Sequence, residues 1–158
     1  MSEYLFPTEG LTAEGEGASG ALEAFGADGS ELLGLDVLCL ADLDPQLVLI
    51  GGRALLAQDL AHRFETPTGG LFYDGSYGYD LRALLNAPLD EGDVPRIAAA
   101  VEAQCLLDER VGLARADVTL FRSENRLRVA VSVLCAEGPF SFVLLVSELT
   151  VDFFTQAA

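Results

Sequence analysis

The sequence predicts an α+β domain in which helices pack on one face of a mainly antiparallel sheet, preceded by a flexible acidic N-terminal arm. Three observations support this prediction: apolar residues with helical spacing in the middle of the chain, alternating apolar residues in its last third, and glycines interleaved with acids at its start. A chain of 158 residues is long enough for one domain with a genuine core. The predicted boundary places the arm at residues 1–31 and the folded domain at residues 32–158.

The predicted arm alternates acidic, glycine and small residues, as in Glu14-Gly15-Glu16-Gly17. Such a segment buries too little apolar area to offset its conformational entropy, so in isolation it should be flexible. Tyr4, Leu22 and Phe25 are apolar exceptions that would anchor it to a neighbour. We expect the arm to become ordered only when it is bound.

The charge of the chain restricts its partners. It carries 25 acidic residues against 9 basic ones, all of them Arg, for a formal net charge of −16. This field repels phosphate backbones and anionic membranes, so we expect no nucleic-acid and no membrane partner. No apolar run approaches the roughly 20 residues that span a bilayer, and the N-terminus lacks the pattern of a signal peptide. The high hydrophobic fraction, 51%, therefore indicates either a dense core or a surface that partners cover.

The cysteines and the single histidine fit no familiar metal site. Cys39, Cys105 and Cys135 are isolated in apolar surroundings, no CxxC occurs, and His62 cannot complete a Cys/His zinc site. We expect buried free thiols in a reducing compartment, and no cofactor.

The first half of the domain begins with two predicted strands, Leu35–Leu40 and Gln46–Ile50, around a turn at Asp42–Pro45. A helix over Arg53–Phe64 follows, with His62 as a solvated residue near its C-terminal end. Its predicted buried face consists of Leu56, Ala57, Leu60, Ala61 and Phe64.

A glycine-rich loop and two more helices come next. Thr66-Pro67 ends the first helix because the residue before proline avoids the α region. Asp80 is placed to cap a short helix carrying Leu81, Leu84 and Leu85. Asp93 is predicted to cap the longest helix, with Pro95 in its first turn. The buried stripe of that helix is predicted to be Val94, Ile97, Ala98, Val101 and Cys105.

The last third of the chain alternates and predicts strands. Ala116–Arg122 and Arg126–Cys135 should form a hairpin around residues 123–125, and Glu137–Pro139 should make the next turn. Phe140–Phe154 is predicted as one long final strand, apolar on both faces. Such a strand is either internal to the sheet or an edge that another chain completes.

Four features carry a resemblance in their order and spacing. They are the helix Arg53–Phe64 leading into Thr66–Gly69, the segment Tyr77–Leu81 with its leucine helix, the longer helix closing on Asp108-Glu109-Arg110-Val111, and the C-terminal strands. The chain resembles the baseplate wedge family of contractile injection machines, which includes the sheath initiators of contractile phage tails and their counterparts in bacterial secretion and extracellular systems. The resemblance covers roughly Gln46 to Asp152. Members typically show Glu-Pro-Arg where this chain has Asp108-Glu109-Arg110, so the missing proline predicts a different local turn.

The resemblance implies a structural role in a tail baseplate of a virion or in a cytoplasmic contractile particle. Present in multiple copies, such a protein joins the wedge bundle and templates the first sheath ring, with sheath subunits, other wedge proteins and the tube or hub as partners. The strand Phe140–Phe154 would then pair with an arm of a sheath subunit by β-augmentation. The predicted partner-binding residues are Tyr77, Tyr79, Asp108, Arg110, Phe140, Phe142, Leu144 and Val146.

Several of these assignments have alternatives. The tyrosines fit a core as well as an interface, and Asp108 with Arg110 fits an interface or helix-end clamp as well as a local ion pair. Some family members carry a lysozyme label, so a peptidoglycan hydrolase is the alternative function; it requires a carboxylate pair in a sugar-sized cleft. The absence of Trp disfavours a sugar cleft. An acidic adaptor unrelated to injection machines is the third possibility.

Overall fold

The computed structural model describes residues 30–39, 46–147 and 150–156. It contains helices and antiparallel strands, which confirms the α+β class. Residues 1–29 of the predicted arm and the predicted turn Asp42–Pro45 lie outside the described residues. The helices are α1 (Ser30–Leu33), α2 (Gly52–Glu65), α3 (Leu81–Leu85) and α4 (Val94–Cys105). The strands are β1 (Leu35–Val37), β2 (Leu49–Gly51), β3 (Val111–Phe121), β4 (Arg126–Cys135), β5 (Gly138–Val146) and β6 (Val151–Gln156).

The strands β1 and β2 pair as a separate antiparallel sheet and are shorter than predicted. Leu47 has a left-handed backbone with φ of 52°, so the extended run begins only after it. Beyond β1, the backbone N–H of Cys39 donates to Gln58 Oε1 of α2 at 2.7 Å. His62 is half-buried and its Nε2 donates to the carbonyl oxygen of Cys39, so the prediction of a solvated histidine is wrong.

The helices follow the predicted apolar spacing. The predicted face of α2 is buried in full, and on α4 Ile97, Val101 and Cys105 are buried while Val94 and Ala98 are half-buried. With 14 residues against 12, α2 rather than α4 is the longest described helix. The predicted cap of α3 is confirmed, because the Asp80 carboxylate accepts from the backbone N–H groups of residues 82 and 83.

The predicted capping of α4 by Asp93 is confirmed in position but wrong in mechanism. Asp93 stands at the N-cap, yet its backbone is already helical (φ −78°, ψ −23°), so its carboxylate makes no bond to the helix N–H groups. The carboxylate instead accepts from the Arg96 guanidinium at 2.7 Å and from the Asp90 backbone N–H at 3.1 Å.

The larger sheet has four strands in the order β3-β4-β5-β6, each antiparallel to its neighbour. The hairpin of β3 and β4 is confirmed, although β3 begins at Val111, earlier than predicted. The turn before β5 lies at residues 136–137, and Pro139 is already paired with Leu134.

The prediction of one strand over Phe140–Phe154 is wrong. The chain reverses after Ser147, whose backbone N–H donates to the carbonyl oxygen of Thr150 at 2.8 Å. The Ser147 hydroxyl oxygen also accepts from the Thr150 backbone N–H at 3.1 Å. Two antiparallel strands result, with Val146 opposite Val151. Strand β5 is therefore internal, between β4 and β6.

One apolar cluster joins the helices to the larger sheet. The alternating residues Leu127, Val129, Val131 and Val133 of β4 are all buried in it, which confirms that they share one face. Buried residues of α2, α3 and α4 belong to the same cluster. None of the helices in the described ranges is long and apolar enough to cross a membrane.

Candidate functional site

Arg110 connects three parts of the chain. Its Nε and Nη2 donate to the two carboxylate oxygens of Asp108, at 2.9 and 2.7 Å. Its Nη2 also donates to Asp59 Oδ2 on α2 at 2.7 Å, and its Nη1 donates to the carbonyl oxygen of Leu33 at the end of α1 at 3.0 Å. We call these four residues the Arg110 clamp. The geometry extends well beyond a local ion pair, because Asp59 and Leu33 are distant in sequence.

The charges of the clamp stabilise one another. Burial raises the pKa of Asp108, but the hydrogen bonds and charge of Arg110 outweigh burial and bring that pKa below its ordinary value of 3.8. The hydrogen bond to Asp108 raises the pKa of Arg110 above its ordinary value. Both groups therefore stay ionised at neutral pH, and the clamp is a fixed element of the fold rather than a titrating one.

The two predicted tyrosines have different surroundings. Tyr77 is half-buried, with the Arg63 guanidinium carbon 4.4 Å from its ring centroid, a cation–π distance. Burial raises the pKa of Tyr77, the charge of Arg63 opposes this shift, and the charges of Asp59 and Asp108, two members of the clamp, add to it. Tyr79 packs against the apolar core, and burial raises its pKa as well. Tyr77 thus interacts electrostatically with the carboxylates of the clamp, whereas Tyr79 lies at the border of the core.

The loop between α2 and α3 is tied to α2. The backbone N–H of Tyr79 donates to the carbonyl oxygen of Arg63 at 2.8 Å, and the Thr68 hydroxyl donates to the carbonyl oxygen of Gly78 at 2.8 Å. Gly78 has φ of +98°, and a Cβ there would collide with the carbonyl of Thr66. This position therefore requires glycine. The loop holds its shape through hydrogen bonds and close backbone approach.

The four predicted partner-binding residues of the C-terminal region are core residues instead. Phe140, Phe142, Leu144 and Val146 lie on the inner face of β5 and are buried in the apolar cluster. Because β5 is flanked by β4 and β6, its backbone is also fully engaged in the sheet. These side chains cannot meet a partner while the domain is folded, so the exposed terminal strand that motivated their assignment is replaced by β6.

The two edges of the sheet differ. In an antiparallel ladder, hydrogen-bonded pairs alternate with non-bonded ones. Ser147 and Thr150 form a hydrogen-bonded pair, so Val151, Phe153 and Thr155 occupy the non-bonded positions of the ladder. Their backbone N–H and C=O groups therefore point away from β5. No other strand of the described residues pairs with that side of β6. Among the described residues the backbone edge of β6 is therefore unpaired, an arrangement that permits pairing with another strand.

The opposite edge, β3, is covered by a helix. The outward backbone N–H of Ala116 donates to Glu102 Oε1 of α4 at 3.1 Å, and Glu102 also lies 3.5 Å from the Arg115 guanidinium. A side chain that occupies the edge N–H and a helix that packs along the strand both hinder pairing with a further chain.

The described part of the chain offers few groups that would support catalysis or metal binding. The described residues contain no cluster of three His, Cys, Asp or Glu side chains that could hold a metal. Burial raises the pKa of Glu65, opposed by the charges of His62 and Arg82. Cys105 is buried, and burial raises its pKa to about 12, as expected of an inert thiol.

The sequence analysis did not identify Asp59 and Arg63 as members of the site. The i, i+4 spacing of Asp59 and Arg63 on α2 was an available signal for a shared helix face. Nothing local to Arg110 indicates that its partners lie on α1 and α2.

A scan against protein-family models and a search of curated proteins both find no match to this chain.

Proposed function

We propose that this chain is a non-enzymatic component of the baseplate of a contractile phage tail or related injection machine, where it joins the wedge bundle and templates the first sheath ring. The observation that carries the proposal is the backbone edge of β6, which no strand in the described part of the chain pairs with, in a sheet whose other edge is covered. A protein that receives one strand per copy needs one such edge and must protect the other from uncontrolled pairing.

The proposed architecture has the helices in one layer on the inner face of the sheet, with the acidic arm, residues 1–31, preceding it. The shared core of α2, α3, α4 and the inner sheet face supports this layering. In it, the outer face of the sheet and the edge of β6 stay accessible to neighbours.

The recruited strand is an extended arm of a sheath subunit that pairs with β6. The outward groups of Val151, Phe153 and Thr155 supply N–H donors and carbonyl acceptors to it. Each such bond contributes about 0.5–1.5 kcal/mol net, so several of them together with side-chain burial would hold a subunit in register. Several copies of this protein, each pairing with one sheath subunit in this way, would together close the first sheath ring.

The Arg110 clamp and Tyr77 contribute rigidity to the proposed wedge contact. The clamp fixes α1, α2 and the turn after α4 relative to one another, so a partner meets a preformed surface. Preformed surfaces lose less conformational entropy on binding. The other proposed partners are wedge proteins and the tube or hub, with no nucleic acid and no membrane.

The test uses proline to block the edge of β6 without breaking its bonds to β5. Thr155→Pro removes an outward N–H, which an edge strand tolerates, while Thr155→Ala keeps it. Tubes and baseplates assembled with Thr155→Pro should lack sheath, and those with Thr155→Ala should carry it. Normal sheath in both would contradict the proposal. Deleting the chain from Phe140 onward is not a valid test, because it removes the core strand β5.

The non-enzymatic part of the proposal has its own test. Purified protein should not clear a cell-wall suspension. Clearing that disappears in Glu65→Gln, the substitution at a carboxyl whose pKa burial raises, would instead establish the hydrolase alternative.

A further inference from the structure

The loop between α2 and α3 carries two aromatic side chains at its tip with very little contact to the rest of the chain. Phe72 is 99% exposed and Tyr73 is 73% exposed. Their rings pack edge to face with centroids 5.1 Å apart, so they present one continuous aromatic surface. Folding of the domain gains almost nothing from Phe72 in this position.

The tip is held in one shape by the residues that follow it. Leu71 and Asp74 form an isolated antiparallel bridge, which places Phe72 and Tyr73 at the centre of a tight turn. Asp74 Oδ1 accepts from the Ser76 backbone N–H at 3.0 Å and from its hydroxyl at 2.7 Å. The backbone N–H of residue 77 donates to the Asp74 carbonyl oxygen at 3.3 Å. An aromatic pair on a preorganised turn gives contact area at low entropic cost.

We infer that Phe72 and Tyr73 form a docking knob that inserts into an apolar socket, bordered by cationic side chains, on another protein of the baseplate wedge. The inference rests on the proposed function for the place where the partner is sought. The aromatic pair has the character of interface hot spots, which are enriched in such residues and seated in partner pockets.

Charge determines which partner fits. The hydrogen bonds from Ser76, helped by the charge of Arg63, hold the pKa of Asp74 below its ordinary value, so the residue that follows the two aromatic residues in the turn carries an ionised carboxylate. The whole chain carries a formal charge of −16. A socket with an Arg or Lys border matches this charge and would speed association at low salt. An anionic membrane surface, which also accommodates exposed aromatics, would be repelled.

The experiment compares Phe72→Ser/Tyr73→Ser with wild type in binding to baseplate particles assembled without this protein. Both side chains are exposed, so the double variant should fold normally, as circular dichroism and its melting temperature would verify. Phe121→Ser, which removes another exposed aromatic from the end of β3, is the matched control. We expect association roughly 30-fold weaker or more for the double variant, the loss typical of a hot spot, and no change for the control.

Two further measurements identify the socket. Asp74→Asn keeps the acceptor oxygen for Ser76 but removes the charge, and its binding to the particles should depend less on salt than that of wild type. A photo-reactive phenylalanine analogue at position 73 should cross-link to apolar residues of a wedge protein that have Arg or Lys neighbours.

The outcomes separate the inference from the proposed function. If wild type binds the particles and the double variant binds equally well, the knob is wrong while the proposed function stands. If wild type itself does not bind, both fail. Cross-links to a sheath subunit only, or binding to phosphatidylcholine vesicles that is lost in the double variant, would overturn the wedge socket.

Discussion

Replacing Arg110 by Ala measures how strongly the Arg110 clamp stabilises the fold. The substitution leaves the Asp108 side chain, only 11% exposed, without its cation, while Asp59 at 33% exposed regains water. Loss of one member of a buried ion pair costs about 3–5 kcal/mol, and an exposed pair contributes about 0–1 kcal/mol. Asp108 resembles the buried case, and Asp59 is closer to the exposed one. Because the hydrogen bond to the Leu33 carbonyl is also lost, we expect the free energy of unfolding to decrease by about 2–3 kcal/mol.

Urea unfolding at neutral pH, followed by circular dichroism, measures this decrease as a lower midpoint at unchanged slope. Arg126→Ala is the matched control, because both side chains of its 3.2 Å pair with Glu124 are more than half exposed. The control should lose less than about 1 kcal/mol. Adding Asp108→Asn to Arg110→Ala should recover part of the loss, since the unpaired charge is then removed. A decrease for Arg110→Ala no larger than that of the control would refute the reasoning that the clamp joins the helices.

Three other predictions test the sheet, the loop and the clamp. Leu144→Ala should cost about 2–5 kcal/mol in urea unfolding, whereas its outward neighbour Leu145→Ala should cost less than about 1 kcal/mol; equal losses would contradict the faces of β5. Gly78→Ala should lower the free energy of unfolding by about 1–3 kcal/mol. Gly75→Ala, where nothing lies near the added carbon, should change it by no more than about 0.5 kcal/mol. Equal melting temperatures of the two variants would contradict the described packing of the loop. The folded-state pKa of Asp108 is below 3.8, so its stabilisation is present above that value and lost as pH falls through the folded-state pKa. The stability difference between wild type and Asp108→Asn should therefore shrink below pH 3.8, and a difference independent of pH would argue against the pair.

The elements that sequence predicts well are those whose signals are local. The cap at Asp80 and the helical spacing of Leu56, Leu60 and Phe64 each depend on residues within two or three turns of one another. The strand pair β5–β6 was missed because its turn contains neither glycine nor proline among the described residues. Ser147 and Thr150 close it through their own hydrogen bonds, a much weaker sequence signal.

The candidate site depends on contacts that no local pattern contains. Arg110 reaches Asp59 across 51 positions and Leu33 across 77, and both contacts exist only after the helices pack. The exposure of Phe72 and Tyr73 contradicts the usual burial of aromatic residues. The alternation of Phe140 to Val146 correctly indicated an apolar face. A sequence pattern alone does not distinguish an apolar face that packs in the core from one that binds a partner.

The central claim is that β6 receives a strand from a sheath subunit, and an image of that junction tests it most directly. Purified protein mixed with a sheath subunit and tube–baseplate particles would be imaged by electron cryomicroscopy. The account predicts one additional strand, from the sheath subunit, hydrogen-bonded to the outward groups of Val151, Phe153 and Thr155, so that the four-stranded sheet gains a fifth member. A sheath ring docked elsewhere, with the edge of β6 unpaired, would contradict it.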